Sequence, residues 1–532
     1  MDEDLLPDSL GGALGVKRQG GGNNKYHRTI QSDGTYLTLR HAFGVEGCIR
    51  DNVAFVTVPD PDADGGGLML GYLVHPVGQQ VAMHRVDDGS MKFLVCRQKN
   101  AREILALCVS PNKRVIAVCE RARAPDEDPG SAQVSVYNVA NCKRMRTMLF
   151  PGRGDFVTCC FSGDNKWLVT AGTEPESSIV VWNWDKEKVD KTAQNNGFSA
   201  TRVAFHPGDH NFLTTSGANH LRLWYTSSDN VLKAHAILPL AKEQENFADH
   251  TWIPGTAGQP TRMIAITDGE GTGTTSGVHS GQHGATVLVF DAIDGSPSLE
   301  LKQTLFAPLP LTAKLETLMP FSKGFIVAGG GINGYIGVYE NMDDHRDPYM
   351  PVRNFSAKGC ALAGLTLNRS TEIVYAYSKT NELLTFNLGS MDVLDDGGNH
   401  FHTLLQGGNH TAPVVALDVC LTKPIAVTIG EDRVLRVWSY LKWKCDVVHE
   451  FRNEDPNCAS LHPTGFQVAV GFKDRIRIYS VLMEGLRVLR DIPQKNCRSV
   501  AYARGGHLLA VASGFSVVVY TAITAQQVCY IC

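Results

Sequence analysis

Two neighbouring stretches, NHTAPVVALDV at residues 409–419 and KPIAVTIGEDRVLRVW at 423–438, decide the fold. An apolar run ends near Val419, a turn carrying Lys423 and Pro424 follows, and a second apolar run reaches Ile429. The small polar turn Gly430-Glu431-Asp432-Arg433 leads into a third run that closes on the aromatic Trp438. Runs this short, rich in Val and Ile and bounded by Gly, Pro and Asp, read as antiparallel strands joined by tight turns.

The same unit recurs outward in both directions. First runs with their turns are ALCVSPNKR ending at Arg114, TCCFSGDNKW at Trp167, RVAFHPGDHN at Asn211, LTLNRST at Thr371, ASLHPTG at Gly465 and VAYARGGH at His507. Third runs end on an aromatic anchor: Tyr137, Trp182, Trp224, Phe290, Tyr339, Phe386, Trp438, Tyr479 and Tyr520, with His84 in that slot in the earliest copy. The ten anchors are separated by 53, 45, 42, 66, 49, 47, 52, 41 and 41 residues. A period near 40–45 residues with four strands per unit is the WD-repeat pattern of a β-propeller blade. The longest gap holds GEGTGTTSGVHSGQHG, residues 269–284, a Gly/Ser/Thr insertion between strands. One propeller ordinarily carries four to eight blades, so ten require two rings. The expectation is an all-β protein with WD-repeat β-propellers in tandem. It comprises a disordered arm over 1–34, a complete seven-bladed ring over 35–400, and the first three blades of an incomplete second ring over 401–532. Three blades cannot bury all their faces, so the sequence predicts a truncated product or a fragment of a longer chain.

Composition narrows the function. Acidic residues slightly outnumber basic ones (54 against 50, net charge −4), which argues against a nucleic-acid partner. No run of 18 apolar residues occurs, so membrane insertion is not expected. The N-terminus MDEDLLPDSLGG lacks the apolar core of a signal peptide. The 14 Cys are scattered through apolar runs, as at Cys119, Cys159, Cys160 and Cys420, which suits free thiols in a reducing compartment. The terminal pair Cys529 and Cys532 has no second pair to complete a zinc site. The sequons at Asn354, Asn368 and Asn409 are read as chance.

The sharpest constellation is His410, Thr428, Asp432 and Trp438. In a WD repeat these types form one buried hydrogen-bond network that fixes the turns, with the Asp accepting bonds from turn N–H groups and from the imidazole. A hydrolase triad would use similar types, but no GxSxG elbow accompanies them. Gly269, Gly271 and Gly273 lack the Lys-Ser/Thr and helix of a phosphate loop. Gly329 to Gly331 and Gly334 suit a turn. His279 and His283 have no further ligands nearby. Lys143, Arg144 and Arg146 read as a solvated outer edge that discourages strand addition, although an acidic partner could meet them. No catalytic, cofactor-binding or metal-binding residue is expected, and an enzyme built on a propeller is the weakest reading.

Several stretches carry a more specific likeness. They are HAFGVEGCIRDN (41–52), VHPVGQQVAMHRV (74–86), PESSIVVWNWDKEKV (175–189) with both Trp182 and Trp184, HTW (250–252), KGF (323–325), KPIAVTIGEDRVLRVWSY (423–440), and the run from LHPTGF through SVVVYT (461–521). From about His41 to Thr521 the chain resembles the ciliary and flagellar axonemal WD-repeat proteins. The first of these stretches is also similar to the opening of the echinoderm-type microtubule-binding tandem propellers. The resemblance implies a scaffold of the axoneme in motile cilia and flagella, within cytoplasm and cytoskeleton. Its partners would be doublet-microtubule tubulin, inner dynein arms and other axonemal proteins. Members of that family complete the second propeller and continue into a coiled coil, and this sequence ends at Cys532 before either. The alternatives are a general cytosolic WD-repeat adaptor or an echinoderm-type microtubule-binding tandem propeller.

Overall fold

A computed structural model describes residues 29–531, except for stretches between strands that include 33–34, 46–48, 50–51, 61–68, 95–101, 123–131, 150–153, 238–244, 256–259, 269–284, 294–297, 310–312, 357–360, 389–401 and 404–408. Two units are present, 1–40 and 41–532. In the first, Thr29–Ser32 pairs antiparallel with Thr35–Thr38. The arm expected over 1–34 therefore contains a strand from Thr29, and the β-branched and aromatic residues of TIQS and TYLT supply the propensity.

Among the described residues the second unit holds ten four-stranded antiparallel sheets, each using consecutive strands in chain order. We number them 1 to 10: residues 54–94, 102–149, 156–194, 200–236, 247–306, 315–356, 362–403, 414–450, 458–493 and 497–531. The seventh takes its short fourth strand from His402–Thr403, just beyond the boundary read at 400. A weakly apolar, two-residue strand leaves no period for a sequence reading to detect.

In nine of the ten sheets the third-strand anchor stands opposite a buried apolar residue of the second strand, and in sheet 8 Trp438 stands opposite the half-buried Ala426. Tyr137 pairs with Ile116, Trp182 with Leu168, Phe290 with Met263 and Tyr520 with Leu509. Tyr137, Trp182, Trp224, Phe290, Tyr339, Phe386, Tyr479 and Tyr520 are all buried. His84 takes the same place opposite Leu73 and is buried too. Fourth strands such as Lys188–Gln194 are polar and exposed because the outer edge meets solvent, whereas that of sheet 1, Met91–Leu94, is mostly buried.

First strands of successive sheets lie side by side, and apolar clusters fill the gaps between sheets. Val56 and Tyr72 of sheet 1 meet Ile104 and Ile116 of sheet 2. Ile264 and Val289 of sheet 5 meet Leu318 and Phe325 of sheet 6. The seventh sheet then meets the first. Phe55 stacks on Tyr375 with ring centroids 5.7 Å apart and 4° between planes. The Phe55 N–H donates to Thr366 Oγ1 at 3.0 Å, and the Tyr377 hydroxyl donates to the Ile49 carbonyl at 3.1 Å. Gly364 permits this closure, since a Cβ there would lie 1.9 Å from the Tyr377 ring. Sheets 8, 9 and 10 continue as an arc with clusters between 8 and 9 and between 9 and 10.

Candidate functional site

The four residues singled out in the eighth repeat come together. His410 precedes the first strand of sheet 8, Thr428 lies in the second strand, Asp432 in the following turn, and Trp438 in the third strand. His410 Nδ1 lies 3.0 Å from Asp432 Oδ2, and His410 Nε2 lies 2.8 Å from Thr428 Oγ1. The Trp438 indole N–H donates to the same Thr428 hydroxyl at 2.7 Å. The Asp432 carboxylate also accepts the Thr411 N–H at 3.0 Å and the Val434 N–H at 3.2 Å. The buried carboxylate is thus saturated by donors from both flanks of the turn. Gly430 is required beside it, because a Cβ there would stand 2.4 Å from Asp432 Oδ1 and 2.6 Å from His410 Nδ1. Burial lowers the His410 pKa, and the Asp432 carboxylate opposes that shift. With Thr428 engaged by both the indole and the imidazole, its hydroxyl is a structural link and not a nucleophile aimed at a substrate.

A second network of the same logic went unread, although the HTW stretch at 250–252 contains it. His250 Nε2 lies 2.8 Å from Thr214 Oγ1, and His250 Nδ1 lies 2.7 Å from Ser216 Oγ. The Trp252 indole N–H donates to Thr214 Oγ1 at 2.9 Å. This network ties sheet 5 to sheet 4, so its spacing spans two blades. A pattern sought within one repeat misses it. Trp182 and Trp224 carry a reduced version, each donating at 3.0 Å to a second-strand hydroxyl, Thr170 and Thr215.

The HAFG segment occupies the joint where ring and arc meet. His41 stacks on Trp443 at 4.4 Å and Phe43 packs on Trp438 at 4.6 Å. Asn381 Nδ2 donates to the His410 carbonyl and Asn409 Nδ2 to the Asn381 carbonyl, both at 2.9 Å. Beside these contacts lies an apolar cavity of about 750 Å³ lined by Phe43, Val45, Pro413, Leu417, Trp438 and Tyr440 among others. Below it His75 is fully buried, and burial together with the nearby His84 lowers its pKa to about 3. Burial lowers the His41 pKa to about 4, with His84 again contributing.

Other sequence candidates resolve simply. Gly330, Gly331 and Gly334 have φ of +91°, +61° and +49°, the left-handed geometry of a turn. Arg144 and Arg146 stand on the outer strand of sheet 2, and Arg146 donates to the Asp185 carbonyl at 2.9 Å, crossing to sheet 3. Asn409 is buried and occupied. The phosphate-loop and metal candidates Gly269, Gly271, Gly273, His279 and His283 lie outside the described residues, as does Cys532. Among the described residues no group of three or more His, Cys, Asp or Glu is arranged to hold a metal ion.

Consecutive four-stranded sheets, the eighth of them locked by a His–Asp–Thr–Trp network, define a WD-repeat β-propeller fold. The family model for the WD domain, G-beta repeat, matches residues 143–183, which run from the outer strand of sheet 2 through the third strand of sheet 3. The sequence repeat is therefore offset from the blade, and each repeat bridges two sheets. Cilia- and flagella-associated protein 57 of Mus musculus is 25% identical over 92% of this chain and 40% of its own length. The 77 kDa echinoderm microtubule-associated protein of Strongylocentrotus purpuratus is 21% identical over 84% of this chain and 59% of its own. Among solved structures, the Dos1 propeller matches with a TM-score of 0.41 and 13% identity, covering 72% of this chain and 93% of that one. The chain is similar to cilia- and flagella-associated protein 57 along most of its own length, and it spans about two fifths of that mouse relative's length.

Proposed function

We propose that this chain is the propeller portion of an axonemal scaffold in motile cilia and flagella, docking on doublet microtubules and helping to anchor or assemble inner dynein arms. The observation that carries this reading is the similarity to cilia- and flagella-associated protein 57 along 92% of the chain. Physical form supports it. A ring whose blades are cross-locked presents loops on two faces and polar strands at the rim, so several proteins can dock without deforming it. The seven sheets 1–7 serve as one ring, and sheets 8–10 serve as the beginning of a second. The echinoderm relative favours contact with tubulin in particular, since that protein is named for microtubule association.

Fractionation of purified axonemes tests this directly. The expected result is retention of the chain on doublets through detergent extraction, with release at high salt alongside inner-arm components. A protein found wholly in the detergent-soluble pool, bound to a ligase or coat complex, would establish the cytosolic adaptor instead.

A further inference from the structure

The joint between sheets 9 and 10 holds two thiols that no other part of the account uses. Cys458 opens the first strand of sheet 9 and Cys497 opens the first strand of sheet 10. Equivalent positions on adjacent first strands face each other across the gap, and the two Sγ atoms are 3.6 Å apart. Both side chains are buried, at 7% and 2% exposure. The strand partner of Cys458 is Gly471, and a Cβ at that glycine would lie 2.4 Å and 2.6 Å from the two sulfurs. The sheet leaves room there for this pair of sulfurs and nothing more.

The geometry points to Cys458 and Cys497 as a peroxide-responsive thiol pair that closes into a disulfide joining sheet 10 to sheet 9. The two sulfurs differ in their roles. The Cys458 thiol hydrogen-bonds to Cys497, which lowers the Cys497 pKa and, together with burial, raises that of Cys458. Cys497 is thus the nucleophile, since the thiolate is the form that attacks peroxide. Its sulfur bonds to one peroxide oxygen, the O–O bond breaks, and the departing hydroxide takes a proton to leave as water. Cys497 is then a sulfenic acid. The Cys458 sulfur, losing its proton, attacks the Cys497 sulfur; the S–O bond breaks and a second water leaves. Two thiols lose two electrons, and one hydrogen peroxide becomes two waters.

Position explains why this joint and not another reacts. Cys119 and Cys159 also meet between blades, but those blades lie within the closed ring and each is packed on both faces. Cys458 and Cys497 lie between sheets 9 and 10, which stand outside sheets 1–7. Opening that joint leaves sheets 1–7 in place, so a small oxidant reaches the sulfurs without disturbing the ring.

Treat the full chain with hydrogen peroxide, alkylate free thiols under denaturing conditions, and map peptides by mass spectrometry without reduction. The expected product is a linked 458–497 peptide that disappears on reduction, with Cys119 and Cys159 still alkylated. Amide exchange across residues 497–502 should slow roughly tenfold in the oxidised protein. Cys458→Ser should stall at a sulfenic acid on Cys497, trapped by dimedone, whereas Cys497→Ser should leave Cys458 reduced. Wild-type peptides in which both cysteines remain alkylated while peroxide oxidises the exposed Cys529 would overturn the assignment. So would dimedone capture at Cys458 in the Cys497→Ser protein.

Discussion

Sheets 7 and 10 differ in what lies against their strands. Sheet 7 finds sheet 1: Tyr375 is covered by Phe55, and Thr366 takes the Phe55 N–H. Sheet 10 has a comparable inner lining, with Leu509 and Val511 fully buried against sheet 9. Its other face carries Val517 at 37% and Ile531 at 56% exposure. At the opposite end of the arc, Leu417 of sheet 8 is 66% exposed. The strands of the arc are as regular as those of the ring, so regular strands alone do not secure burial. What differs is whether a second sheet lies against the strands, as sheet 1 does against sheet 7. A blade is stable to the extent that both its faces are covered, and the first and last blades depend on each other.

Four perturbations would sharpen or break this comparison. Asp432→Ala removes the acceptor for the imidazole and for two turn N–H groups in a buried site, and is expected to destabilise sheet 8 by about 3 kcal/mol. Urea titration read by amide exchange over residues 414–450 should show this loss, with residues 200–236 of the ring unchanged. Equal loss in both would mean that ring and arc unfold as one body. Phe43→Ala, at the joint, should take about 2 kcal/mol from the arc by uncovering Trp438 and enlarging the adjoining cavity. Faster exchange at residues 434–439 is the readout.

Acidification should act on the ring first. His75 is fully buried and neutral, with a pKa lowered to about 3, whereas in the unfolded chain it gains its proton near pH 6.5. Its contribution is therefore fully present above pH 6.5. It declines as pH falls, by up to about 1.4 kcal/mol per pH unit, until the folded-state value is reached. The unfolding midpoint of sheet 1 measured from pH 7 to pH 4 should track this decline, and His75→Gln should flatten it. The smallest effect is expected at the rim: Arg146→Ala removes exposed contacts to Asp185 and should change stability by about 0.5 kcal/mol or less in a thermal melt.

Legibility in the sequence followed burial. The aromatic anchors were readable because each ends a short apolar run and fills the same place in its sheet, as Trp182 opposite Leu168 and Tyr520 opposite Leu509 do. The His410 network was readable because its members lie within one repeat. Fourth strands such as Lys188–Gln194 and His402–Thr403 were poorly marked, since an exposed edge imposes no apolar period. The joint was not readable at all as a contact. Phe43 meets Trp438 across nearly the whole chain, and no local pattern encodes a partner so distant. The HAFG and HTW stretches were noticed as likenesses to other sequences, while their physical roles, capping the arc and tying sheet 4 to sheet 5, required the coordinates.

Residue-resolved amide exchange on the intact chain is the most direct test of the seal between sheets 7 and 1. Amides of Ala54–Pro59 in sheet 1 should exchange as slowly as those of Ala200–Phe205 in sheet 4, because both strands are flanked on two sides, while Ser516–Thr521 in sheet 10 should exchange far faster. Exchange in sheet 1 as rapid as in sheet 10 would show that the seventh sheet does not seal against the first, and the account would fail.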